Sequence, residues 1–159
     1  MIESYKKWQP LEGIDNELSI EAIHDDYEGL RIILSGRAPG SGILRITFSH
    51  YYMYRNVNES NRVRLWNEPN FEDRSWSLFQ ATSSKLLDWL HEESGQAFDE
   101  IDMAHYLIKT SMEVVDVITH HAPPKAEWLL SVVEDIPSDT IIKYGKRNIS
   151  HFRKKDDAM

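Results

Sequence analysis

Apolar and polar positions change their rhythm along this chain, and the changes mark out its elements. Residues 18–66 alternate with a period near two, as half-buried strands do. The run 18–24 stops at Asp25-Asp26-Tyr27-Glu28-Gly29, a turn by composition. Residues 30–35 are aliphatic and β-branched and read as the next strand. A Gly-rich loop, 36–42, leads into the longest strand candidate, 43–54. There Leu44, Ile46, Phe48, His50, Tyr52 and Tyr54 share one face, and Arg45, Thr47, Ser49, Tyr51 and Met53 the other. Residues 56–61 turn the chain and 62–66 return it. Connections this short make sequence neighbours sheet neighbours, so an antiparallel meander is expected.

The second half carries a repeated pattern. Residues 76–90 align without a gap on 104–118: an apolar run, a Thr-Ser break, then apolar-apolar-Asp-apolar-apolar. The first copy predicts a strand over 76–81 and a helix over 83–93. That helix buries Leu86, Leu87, Leu90 and Trp89 and stops at Ser94-Gly95. The second copy predicts a strand over 104–109 and a second helix capped by Thr110, with Glu113 at capping-box spacing. This helix buries Val114, Val115, Val117 and Ile118 and ends before Pro123-Pro124. Pro124 suits the first turn of a third helix through Trp128, Leu129, Val132 and Val133. The pattern leaves open whether the two strands are parallel neighbours or lie apart. After Pro137, Ile141, Ile142 and Tyr144 add a strand or pack on the core, and the chain turns polar and basic from Lys146. The expected architecture is α+β. One mainly antiparallel sheet, a meander of four to five strands plus one or two more, carries two to three helices on one face. It forms a single domain, 1–145, with a basic, frayed tail, 146–159.

Composition narrows the class. A chain of 159 residues with 41% hydrophobic positions supports one domain with a real core. No apolar run approaches the roughly 18 residues of a bilayer span, and no apolar stretch follows the N-terminal lysines. The absence of cysteine excludes disulfides and thiolate chemistry. A cytoplasmic protein is expected. Residues 143–159 hold six basic and two acidic residues, a net +4, which leaves 12 basic and 24 acidic residues, a net −12, for 1–142. Such a body repels phosphate backbones and attracts a basic protein surface, so neither nucleic acid nor membrane is an expected partner.

The chemistry-bearing residues are sparse. Loop 36–42 lacks the lysine of a phosphate-binding loop and runs into a strand, so it reads as a hairpin loop. His120-His121 cannot share one helix face, and no His-Glu-x-x-His run exists. No metal or other cofactor is called for. The enzymatic alternative is a metal-assisted hydrolase that uses His50 or His105 with a carboxylate; a metal site would need the sheet to bring His50, His105 and a carboxylate from 92–102 together. Against it stands a contact surface: Glu92, Glu93, Asp99, Glu100 and Asp102 in and beside a linker, with Tyr52 and Tyr54 as aromatic anchors. A third reading is a homo-oligomer formed through an exposed sheet edge.

The residues 86–94, the run His105-Tyr106-Leu107-Ile108-Lys109-Thr110, Val114-Val115-Asp116-Val117-Ile118 and Pro123-Pro124 give the central two thirds of the chain a likeness. They resemble a group of small bacterial proteins, and in size, acidity and α+β layout the chain also resembles the immunity proteins that accompany bacterial toxins. The resemblance implies a non-enzymatic domain that neutralises a basic toxin by binding it. It assigns no functional residue.

Overall fold

The computed structural model describes residues 2–130. The tail 146–159 and the segment carrying Ile141, Ile142 and Tyr144 lie outside the described residues. Nine antiparallel strands form two sheets. In one, β2 (Leu18–Asp26), β3 (Gly29–Gly36), β4 (Ile43–Phe48) and β9 (Lys125–Leu130) lie in that order. The meander β2-β3-β4 is therefore as expected. The other has the order β1-β6-β7-β8-β5, from β1 (Ser4–Lys7), β6 (Leu78–Ser83), β7 (Met103–Lys109), β8 (Glu113–His120) and β5 (Tyr51–Asn58). Among the described residues a 3-10 turn, Glu59–Asn61, and two α-helices complete the order: α1 (Val63–Trp66) between β5 and β6, and α2 (Lys85–Glu93) between β6 and β7. None is long and apolar enough to cross a membrane.

The sheets pack face to face. Leu30, Ile32, Leu34, Leu44 and Ile46 from one and Ile108, Val115 and Val117 from the other are fully buried in a common core. Tyr106 joins the layers, its ring 5.8 Å from Phe48 and 4.8 Å from Trp8. Each such aliphatic side chain contributes about 1.5–3 kcal/mol on burial. The opposite face of the five-stranded sheet is buried too. Tyr5 stacks on Phe71 at 4.7 Å and Phe71 meets Phe79 at 4.9 Å. Leu65 of α1 and Leu86 of α2 are buried.

Five expectations are corrected. There are two sheets, not one, because 43–54 is not a single strand. It breaks at the exposed pair Ser49-His50, where the Thr119 hydroxyl donates to the His50 carbonyl and the chain changes sheets. The strand expected over 62–66 is the helix α1, Val63–Trp66; Leu65 alone is buried in it and Val63 is exposed. The helix expected after Thr110 is β8. Its β-branched residues suit a strand, and a strand covered on both faces reads as a continuous apolar run that mimics a helical stripe. Thr110 does use its hydroxyl on the amides of Met112 and Glu113, but in a hairpin turn. The third expected helix is β9 as far as Leu130, with Trp128 opposite Leu44 and Arg45 paired to Glu127; Val132 and Val133 lie outside the described residues. Trp89, finally, is 47% exposed. The strands β6 and β7 are antiparallel neighbours.

Loop 36–42 is the β3–β4 hairpin connection. The Asp15 carboxylate holds it, accepting from the Ser41 hydroxyl and from the Ala38 amide at 3.3 Å. A side chain at Gly36 would collide with both Asp15 and Ser41. Bulges are distributed unevenly: the edge pairings β1–β6, β2–β3, β4–β9 and β5–β8 each contain a register shift, whereas β3–β4, β6–β7 and β7–β8 contain none.

Candidate functional site

Helix α2 organises the surface the acids occupy. Ser84 caps it, its Oγ accepting from the Leu87 amide at 3.1 Å. Gly95 and Gln96 then take left-handed conformations, and the Gln96 amide returns to the His91 carbonyl at 2.8 Å. This stop throws 96–102 across the end of the sandwich. Glu92, Glu93, Asp99, Glu100 and Asp102 are all exposed there. His91 Nδ1 lies 3.2 Å from Asp99 Oδ1, within ion-pair range but not aligned as a hydrogen bond, and His121 Nδ1 lies 3.5 Å from Asp102 Oδ1.

Tyr52 joins this group through a bulge. Tyr51 pairs with Thr119 and Met53 with Ile118, so Tyr52 is the extra residue. Bulges re-aim side chains. The Tyr52 ring lies 5.0 Å from Phe98, in the acidic loop, and 5.1 Å from His120. The same bulge breaks the expected Tyr52–Tyr54 face: Tyr54 packs on Tyr51 at 5.6 Å against the core. The structure thus gathers Tyr52 with the acids and leaves Tyr54 apart. Beside them His50, His120, His121 and Asp102 line an open groove of about 600 Å³.

His105 is elsewhere, so His50 and His105 do not converge. Fully buried on β7, its Nδ1 lies 2.7 Å from Ser84 Oγ and its Nε2 2.9 Å from Asp116 Oδ1. Asp116 Oδ2 accepts from Arg55 Nε at 2.7 Å and from Arg62 Nη1 at 2.6 Å. With the Ser84 hydroxyl donating to Nδ1 and Nε2–H donating to Asp116, both ring nitrogens of His105 are satisfied. Burial alone would raise the Asp116 carboxyl. The His105 hydrogen bond and the Arg62 and Arg55 charges outweigh it and hold the carboxyl well below its usual range.

A serine, a histidine and an aspartate in series invite comparison with a nucleophilic triad. Here Ser84, His105 and Asp116 are all buried, and the serine oxygen is occupied as a helix cap. The chain ties α2 to β7, β8, β5 and the segment before α1. Ser84 stands where a helix cap is expected from sequence, but the sequence does not mark Asp116 as its partner in a buried network. The available signal was an acid inside Val114-Val115-Asp116-Val117-Ile118, which in a two-sided strand must find a buried partner. Among the described residues no group of three or more histidines and carboxylates is placed to hold a metal. Comparisons with protein-family models, curated proteins and solved structures find no match to this chain.

Proposed function

We propose that the protein is a cytoplasmic, non-enzymatic binding domain that captures a basic protein partner, in the manner of an immunity protein neutralising a toxin. The observation that supports this reading is the union of five exposed carboxylates with the Tyr52–Phe98 pair at one end of the sandwich. Exposed like charges raise the encounter rate with a cationic surface, and a partly buried aromatic pair supplies a desolvating anchor. The metal-assisted hydrolase alternative would rest on His50, which shares its groove with Asp102, because His105 is buried against Asp116. The register shifts at the sheet edges weigh against a homodimer built by strand pairing.

The test is a pull-down against the product of the neighbouring gene, followed by rescue of cells that express it. Glu92→Lys, Glu93→Lys and Glu100→Lys together should slow association about tenfold or more at low salt, a difference that shrinks as salt rises. Absence of rescue, together with no binding to any basic protein at low ionic strength, would sink the proposal.

A further inference from the structure

Residues 2–130 contain 12 basic and 21 acidic side chains, a net −9. Four of those 12 cations nevertheless border one cavity. Arg55, Arg62, Arg64 and Lys85 line a cleft of about 480 Å³ over the buried Asp116, facing only two lining carboxylates, Glu3 and Glu68. Counting Asp116 beneath, four cations against three acids leave the site at +1 inside an acidic body. We propose that this cleft binds a small organic anion, a phosphate or carboxylate joined to a flat or apolar group.

Three features carry the inference. Arg55 and Arg62 are held by Asp116, yet each engages it through a single nitrogen. A guanidinium has five N–H donors, so most of theirs remain available. Arg64 and Lys85 have no ion-pair or hydrogen-bond partner among the described residues, while Arg31, Arg37 and Arg45 are each paired with acids. The first turn of α2, the positive end of its dipole, supplies Lys85 and Leu86 to the wall. Fixed guanidiniums recognise oxyanions through paired N–H groups.

The rest of the wall is apolar. Met53, Leu65, Leu86 and the exposed Trp89 border the same space. An inorganic ion would leave that surface wet, whereas a ring on the anion would cover it and lie against Trp89. The volume is that of a small-molecule site. The cleft stands apart from the acidic end, and its occupancy does not depend on the function proposed above.

The experiment uses the full chain with phenyl phosphate, benzoate, inorganic phosphate and potassium chloride at matched ionic strength, read by melting temperature and titration calorimetry. Phenyl phosphate or benzoate should bind about tenfold or more tightly than inorganic phosphate, a difference of about 1.4 kcal/mol. Preference for the first assigns a phosphate ligand and preference for the second a carboxylate. The exposed double variant Arg64→Ala, Lys85→Ala should show no fall in its unliganded melting temperature and lose about tenfold or more in affinity for the organic anion. Trp89→Ala should weaken the organic anion and leave inorganic phosphate unchanged. If neither organic anion exceeds the effect of potassium chloride, or if the double variant binds like the parent chain, the inference is overturned.

Discussion

The nine residues of α2 join two surfaces of opposite sign. Its first turn carries Lys85 to the arginine-lined cleft, and its last carries Glu92 and Glu93 to the acidic end. A helix favours the reverse, anions at its N-terminus and cations at its C-terminus. Asp88 and His91 follow that preference and offset part of the cost. Lys85, Glu92 and Glu93 therefore do not serve the helix that bears them. On the two readings proposed above, each end instead serves a ligand outside the fold. The two ends also differ in support: the cleft rests on Asp116, with four hydrogen bonds from buried or half-buried side chains set around Ser84, His105, Arg55 and Arg62, while the acidic end rests on a loop with two loose histidine–carboxylate contacts.

The harshest way to break this comparison is to remove the support of one end only. Asp116→Ala leaves two guanidiniums and an imidazole without their buried acceptor. It should cost about 3–5 kcal/mol in urea unfolding, with the acidic end unaffected in a partner-binding assay under conditions where the variant is folded. Acid should act on the same group. Its folded carboxyl is depressed, so its stabilisation is complete above the ordinary carboxylate range, near pH 4, and is lost as pH falls below it. Urea midpoints between pH 6 and pH 3 should fall for the parent chain and fall less steeply for Asp116→Asn.

Smaller changes sharpen the contrast. Ser84→Ala removes the α2 cap and the partner of His105 Nδ1, and should cost about 1–2 kcal/mol by the same measurement. Lys85→Glu should do two opposite things. It corrects the helix end and so stabilises the protein by about 0.3–1 kcal/mol, while it weakens anion binding in the cleft. A variant that lost both stability and binding would show that Lys85 serves the fold after all.

Much of the scaffold was legible where a segment has one face to bury. The meander 18–48, the hairpin loop 36–42 and the stop at Ser94-Gly95 follow from alternation, turn chemistry and glycine. The reading failed where both faces are covered. Val114-Val115-Asp116-Val117-Ile118 has the same polarity string as Leu86-Leu87-Asp88-Trp89-Leu90, yet one is strand and the other helix. Polarity alone does not separate them; β-branching does, because four of the five residues in the strand copy resist helical rotamers. The acids of the proposed contact surface are legible as exposed residues in and beside the linker, but a bulge cancels the strict alternation that puts Tyr54 on one face with Tyr52. The cleft was not legible at all. Its cations come from β5, the turn before α1, α1 itself and α2, positions that only the folded chain brings together.

The placement of the bulges has a consequence for how the molecule keeps company. A ladder that ends in a kinked rung gives an incoming strand no straight template, and here all four outer rungs are kinked. Crowding or salt that silences the surface charges should not zip copies together along their backbones. Any contact made along these edges then falls to side chains, which can be chosen, rather than to main-chain amides, which accept any guest.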